Sequence, residues 1–208
     1  MVSKVDDNGQ APIISVRGLD NRFGADIVHQ GLDLDVRRGE ILAVVGGSGT
    51  GKSVLMRSIL GLLRPSGGRI EVFGRELNDS EDARQVMSRR AGVLFQDGAL
   101  FSSLTVLENV ELPLKTHRPE ISSQLRRDLA RSKIQLSGLP ASTSPKMPSE
   151  LSGGMRKRVA LARALALDPE VLVSDLPESA DDPLFSLDAA GAVFDGELVL
   201  LFFLLSVT

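Results

Sequence analysis

Cysteine, tryptophan and tyrosine are all missing from the 208-residue chain, and eight phenylalanines and two histidines are its only aromatic side chains. Without cysteine, no disulfide framework and no thiolate metal or redox site can form, which fits a reducing compartment. No block of lysine and arginine interrupts a balance that sums to −3. The electrostatic footprint of a nucleic-acid binder is therefore absent, and so few aromatics leave little on which bases would stack, so nucleic acid is not an expected partner. The polar opening, residues 1–10, lacks the apolar run of a signal peptide, and the chain is expected in the cytoplasm. The most apolar stretch, residues 198–205, falls far short of the ~20 residues a membrane span requires. A buried strand or a packed terminal helix is expected there instead. With 42% hydrophobic residues, the whole chain is expected to fold as one domain over residues 1–208.

What is present alternates between strand and helix patterns. Residues 13–16, 32–36, 70–73, 92–95 and 171–174 read as short strands. Residues 41–45 form a continuous apolar run ending at glycine, as expected of a strand buried on both faces. Val54, Leu55, Ile59, Leu62 and Leu63 recur at helical spacing, and residues 64–68 should end that helix. From about 105 to 167 the pattern is helical and charged. The fold expected is α/β with a helical insert.

Between the strand at 41–45 and that helix lie Gly46, Gly47, Ser48, Gly49, Thr50, Gly51, Lys52 and Ser53. They match G-x-x-x-x-G-K-[ST] in the strand-to-helix setting the motif requires. Glycines let backbone N–H groups crowd around phosphate oxygens, and the helix N-terminus adds partial positive charge. Lys52 can reach the β- and γ-phosphates of a nucleotide, and the Ser53 hydroxyl can ligate Mg²⁺. A chance match would be a plain glycine-rich turn; the flanking strand and helix argue against it.

Gln96 follows the strand at 92–95, Leu151, Ser152, Gly153 and Gly154 open a helix, and Asp175 closes the strand at 171–174. With the phosphate loop, these residues resemble the ATPases of ATP-binding cassette (ABC) transporters: Walker A, the Q-loop glutamine, the signature motif and the Walker B aspartate. The resemblance implies a P-loop NTPase fold with a mainly parallel core sheet, an antiparallel β subdomain and a helical insert. It implies ATP and Mg²⁺ as ligands, with Ser53, Gln96 and Asp175 at the metal. It also implies a head-to-tail homodimer in which Ser152, Gly153 and Gly154 of one copy close over the nucleotide of the other. Integral membrane permease subunits would hold the chain on the inner face of the cytoplasmic membrane. Phe23, before Gly24, resembles the aromatic residue that stacks on adenine; it reads equally as an ordinary half-buried phenylalanine. Leu151 to Gly154 also reads as a serine N-cap before a helix. The stretches 92–110 and 148–155 resemble Mla-type transporters, which move phospholipid between bacterial membranes and have been linked to solvent tolerance. Leu100 and Phe101 would then face the permease, or else serve as plain core.

The resemblance weakens towards the C-terminus. Leu176 stands where the family has the glutamate that polarises the attacking water, and Glu178 is two positions further on. Asp182 fits the D-loop, but no histidine occupies the switch position; His29 and His117 lie upstream and read as solvated surface residues. Residues from about 184 to 208 look divergent, truncated or frame-shifted. ATP hydrolysis is therefore uncertain, and a subunit that binds ATP but scarcely cleaves it is the alternative. A soluble ABC ATPase of DNA repair or translation is a further reading, against which the acidic balance and the 95–101 segment argue. A kinase or GTPase would leave Leu151 to Gly154 unexplained. Residues 198–205 are expected to pair with 41–45 and fill the place of the family's missing central strand, because an unfilled gap would leave apolar edges and unpaired backbone.

Overall fold

The computed structural model describes residues 11–77, 80–95, 98–174 and, for the backbone alone, 199–205. The first elements are β1 (Ile14–Phe23), β2 (Asp26–Val36), β3 (Ile41–Gly46), α1 (Lys52–Ile59), β4 (Gly67–Val72), β5 (Arg75–Glu76) and α2 (Glu81–Arg90). They are followed by β6 (Ala91–Leu94), α3 (Val106–His117), α4 (Ser123–Leu136), α5 (Gly153–Ala164), β7 (Val171–Ser174) and β8 (Val199–Leu205). The chain divides into two compact units, Met1–Ser88 with Glu197–Thr208, and Arg89–Gly196.

The first unit carries an antiparallel sheet in the order β2-β1-β4-β5. Its inward residues Ile14, Val16, Leu19, Val36, Ile70 and Val72 are all sealed from solvent. In the same unit β8 runs parallel to β3, with Ile41 opposite Leu200 and Gly46 opposite Leu205, as expected for the apolar tail. The expectation that β3 is buried on both faces is corrected: Ile41 and Val45 stand 52% and 58% exposed. Side chains alternate across a strand, so an unbroken apolar run fills both faces only where both are covered. Helix α1 packs on this strand pair and buries Leu55, Met56 and Ile59.

Helix α1 also ends sooner than its apolar spacing suggests. Gly61 adopts φ 70°, and Leu62 N–H returns to Arg57 O at 2.8 Å, a six-to-one closure that a left-handed glycine permits. Leu62, expected on the helix's packed face, is consequently 66% exposed. Helix α2 was not anticipated; Glu81 and Asp82 at its start and Arg89 and Arg90 at its end suit the helix dipole.

In the second unit β6 and β7 pair in parallel, Gly92 opposite Leu172. Three helices surround a core of Val106, Val110, Leu114, Ile134, Val159 and neighbours. Their starts are locally encoded. Thr105 and Glu108 form a reciprocal capping box on α3, Ser122 accepts from Leu125 N–H on α4, and Ser152 accepts from Met155 N–H at 3.2 Å on α5.

Candidate functional site

The 46–53 loop leaves β3 and enters α1 at Lys52. The loop curls around its own lysine: Lys52 Nζ donates to Gly46 O at 2.5 Å, to Gly47 O at 2.6 Å and to Thr50 Oγ1 at 3.2 Å. Thr50 Oγ1 in turn donates to Gly47 O at 2.9 Å. Lys52 is 9% exposed, whereas Gly47, Ser48, Gly49, Thr50 and Ser53 face solvent. Gly51 caps α1 with φ 92° and supplies no side-chain bond to the first-turn amides, and that turn contains no acidic residue. A helix N-terminus without a side-chain cap, beside a buried ammonium, makes an anion seat, and this donor set fits a polyphosphate. Among the described residues no group of three or more His, Asp or Glu side chains could hold a metal ion unaided. Ser53, exposed at the start of α1, carries a hydroxyl that could face a Mg²⁺ held on such a phosphate.

Gly51 is tightly enclosed. A Cβ there would fall 2.5 Å from Val28 Cγ1 and 2.7 Å from His29 Nε2. His29, expected at the surface, is instead buried at 9% exposure. It sits opposite Asn21 in the β1–β2 register, and the pairing turns both side chains inward. Asn21 Nδ2 lies 3.1 Å from His29 Nδ1 and donates to Ser58 Oγ at 3.3 Å, while Ser58 Oγ donates to Val54 O at 2.9 Å. Desolvation holds the His29 imidazole below its ordinary pKa of 6.5. Sequence reasoning missed this network, since nothing in the spacing of residues 21, 29 and 58 marks them as partners.

Phe23 ends β1 at a two-residue hairpin, where Gly24 takes φ 61°, and its ring is 48% exposed. An open face is what a stacking role requires. In the second unit, Leu151 turns its side chain into the helical core at 5% exposure. Ser152, Gly153 and Gly154 remain exposed at the α5 N-terminus. Gln96, Asp175, Leu176, Glu178 and Asp182 lie outside the described residues.

The segment after position 97 is held by two side chains that the sequence did not single out. Asn109, wholly buried, accepts from Phe101 N–H at 2.8 Å and donates to the carbonyls of Phe101, Leu104 and Thr105 at 3.1, 3.0 and 2.9 Å. Arg163 donates to Gly98 O at 2.8 Å and Ala99 O at 2.7 Å, and burial lowers its pKa. Leu100 packs on the helical core, whereas Phe101 projects at 52% exposure. His117 at the end of α3 is half-buried, its pKa lowered by desolvation and by the charge of Arg89.

Residues 29–179 match the family model described as ABC transporter. A probable ribonucleotide transport ATP-binding protein, mkl, of Mycobacterium leprae (strain TN) is 41% identical over 188 residues, covering 88% of this chain and 53% of that protein. The methionine import ATP-binding protein MetN of Brucella abortus (strain 2308) is 41% identical over 174 residues, covering 83% of this chain and 46% of that protein. The chain thus spans about half the length of the curated relatives it matches. Among solved structures, a dimeric ATP-binding cassette in a post-hydrolysis state with ADP and phosphate superposes with TM-score 0.78 at 28% identity, over 91% of this chain and 87% of that one. A cassette of Clostridium perfringens, cbiO1, part of the cbiONQ transporter complex, gives TM-score 0.79 at 26% identity, over 95% and 80%.

Proposed function

The chain belongs to the ABC transporter ATP-binding family, and on that premise we propose that it takes Mg²⁺–ATP on the 46–53 loop as the nucleotide-binding subunit of a transporter. The observation that carries this reading is the Lys52 ammonium seated on the Gly46 and Gly47 carbonyls beside a helix N-terminus with no side-chain cap. Bound ATP would supply the transferable γ-phosphoryl group, and Mg²⁺ would neutralise its charge. Lys52 would exchange its carbonyl partners for phosphate oxygens, the loop amides would hold the phosphates, and Ser53 would face the metal. Phe23 would stack on the adenine.

Gln96 and Asp175 are assigned to the metal and the attacking water by the family motif alone. A second copy would complete the site, its Ser152, Gly153 and Gly154 meeting the γ-phosphate at the start of α5. The whole chain is taken as one cassette domain, with residues from about 105 to 167 as its helical part. The exposed Phe101 on its clamped loop would meet a membrane permease, keeping the subunit on the cytoplasmic face. No helix among the described residues is long and apolar enough to cross a membrane.

Phospholipid, or another hydrophobic molecule, is the cargo we favour, on the strength of the 92–110 and 148–155 stretches. The relatives' own names specify ribonucleotide and methionine instead. Leu176 in place of a general base supports a second reading, a subunit that binds ATP but hardly cleaves it; losing such a base typically removes about 10²–10⁴-fold of rate.

Titration of the full chain with Mg²⁺–ATP, with phosphate release followed in the same samples, tests both readings. Saturable binding that Lys52→Ala weakens by about a hundredfold supports the site, since a charge-assisted contact of this kind is worth roughly 3 kcal/mol. Turnover absent from wild type, beyond that of Lys52→Ala, would favour the second reading. Binding indifferent to Lys52→Ala would sink the assignment of the loop.

A further inference from the structure

The geometry points to His29 as a positioning residue that couples proton uptake to phosphate binding at the 46–53 loop. The inference rests on the reading that this loop holds nucleotide, and it adds a group behind the loop to those that face the ligand.

Three observations carry it. The ring lies against the backbone of Gly51, where a Cβ would come within 2.7 Å of Nε2. Gly51 is the N-cap of α1, so the ring sits against the residue from which the first-turn amides start. Secondly, as the Asn21 amide stands, Nδ2 faces His29 Nδ1 at 3.1 Å, and a neutral ring that accepts there carries its proton on Nε2, towards Gly51. No acceptor among the described residues takes that proton. Thirdly, the network tolerates a second proton. A half-turn of the Asn21 amide presents Oδ1 to a protonated Nδ1, and Ser58, within 3.4 Å of Oδ1 and 3.3 Å of Nδ2, can serve either orientation. The proton is taken from solvent onto Nδ1 and no other bond changes.

The surroundings determine the sign. The groups that face the ring are Asn21 from β1, in turn on Ser58 of α1, and the Gly51 backbone. Asp20 and Arg22, which flank Asn21, pair with each other at 3.8 Å, and the Lys52 ammonium is turned onto Gly46 and Gly47. Desolvation lowers the proton affinity of the ring, and among the described residues no charged side chain offsets it. With the loop empty, an imidazolium behind a helix N-terminus is opposed by burial and by the helix dipole. Phosphate at that N-terminus reverses the local field and favours it. Linkage is reciprocal, so phosphate raises the proton affinity of His29 by the same factor that a proton raises the affinity for phosphate.

The test uses the full chain carrying His117→Gln, which leaves His29 as its one histidine. The His29 ring is titrated by NMR with and without saturating Mg²⁺–ATP, and ATP affinity is measured across the same pH range. A rise of about one pKa unit on adding ATP is expected, with about tenfold tighter binding at acid pH relative to a His29→Leu version of the same chain. Comparing the two proteins cancels the nucleotide's own titration. If ATP binds while the His29 titration does not move, the coupling is wrong and the nucleotide reading survives. If His29→Leu does not fold, the NMR titration alone decides. Failure of ATP to bind at any pH overturns the nucleotide reading and the coupling together.

Discussion

Two loops of this chain are clamped by a single side chain each, and the clamps are built on opposite principles. The 46–53 loop is gathered by a cation, Lys52, whose bonds reach the carbonyls of Gly46 and Gly47 beside solvent-facing residues. The segment from Phe101 to Thr105 is gathered by a neutral amide, Asn109, with 0% exposure and one acceptor and three donor bonds into backbone. An ammonium on a flexible stem can exchange one set of oxygens for another at little cost, because water or phosphate replaces what it leaves. A buried amide has no such substitute: Phe101 N–H and the Leu104 carbonyl would lose its bond, while the Phe101 and Thr105 carbonyls keep the N–H groups of Leu104 and Asn109. The first clamp suits a loop that must accept a ligand, the second one that must hold its shape.

Substitutions can break that contrast or sharpen it. Asn109→Ala should have the largest effect, lowering the free energy of unfolding by about 3 kcal/mol in urea titration, as Phe101 N–H and the Leu104 carbonyl lose its bond and a wholly buried side chain is truncated. The folded protein should still bind ATP within about threefold of wild type, as expected for independent sites. Gly51→Ala comes next, at about 2 kcal/mol by the same measurement, because φ 92° and the approach to Val28 leave no space for a methyl group. Unlike Asn109→Ala, it should also weaken ATP binding. Lys52→Ala should alter stability by less than about 1 kcal/mol while ATP affinity collapses, since water can solvate the freed carbonyls. A stability loss as large as that of Asn109→Ala would show the two clamps to be alike.

The smallest effect is a pH dependence shared between the units. Both His29 and His117 are held below the ordinary value of 6.5. Between the lowered and the ordinary pKa the unfolded chain binds more protons, so stability rises with pH through that window. It is fully present above 6.5 and is lost as pH falls through the folded values. Denaturant midpoints across this range should show it, and His29→Leu and His117→Gln should each remove a separate part.

Much of this was legible beforehand where the code is local. The strands at 171–174 and 92–95 and the tail at 198–205 appear close to their expected places, because apolar runs bounded by glycine or charge mark them. The pairing of β8 with β3 followed from the apolar composition of the tail. Errors arose where burial depended on a distant neighbour. Ile41 and Val45 were expected inside and are exposed, Leu62 overshot a helix closed by Gly61, and His29 was expected outside and is buried. In the candidate site, Ser152 was correctly read as a helix cap, while Leu151 beside it proved to be core.

By itself, the sequence determined the phosphate loop, the helix caps and the family, because each depends on residues a few positions apart and on backbone preferences that act within one turn. Only the tertiary structure decided that Asn21 and His29 face each other across two strands, that Ser58 closes their network from α1, and that Asn109 is the centre of a loop. Such partnerships depend on strand register and on which face a helix turns inward, and these are settled when the core packs.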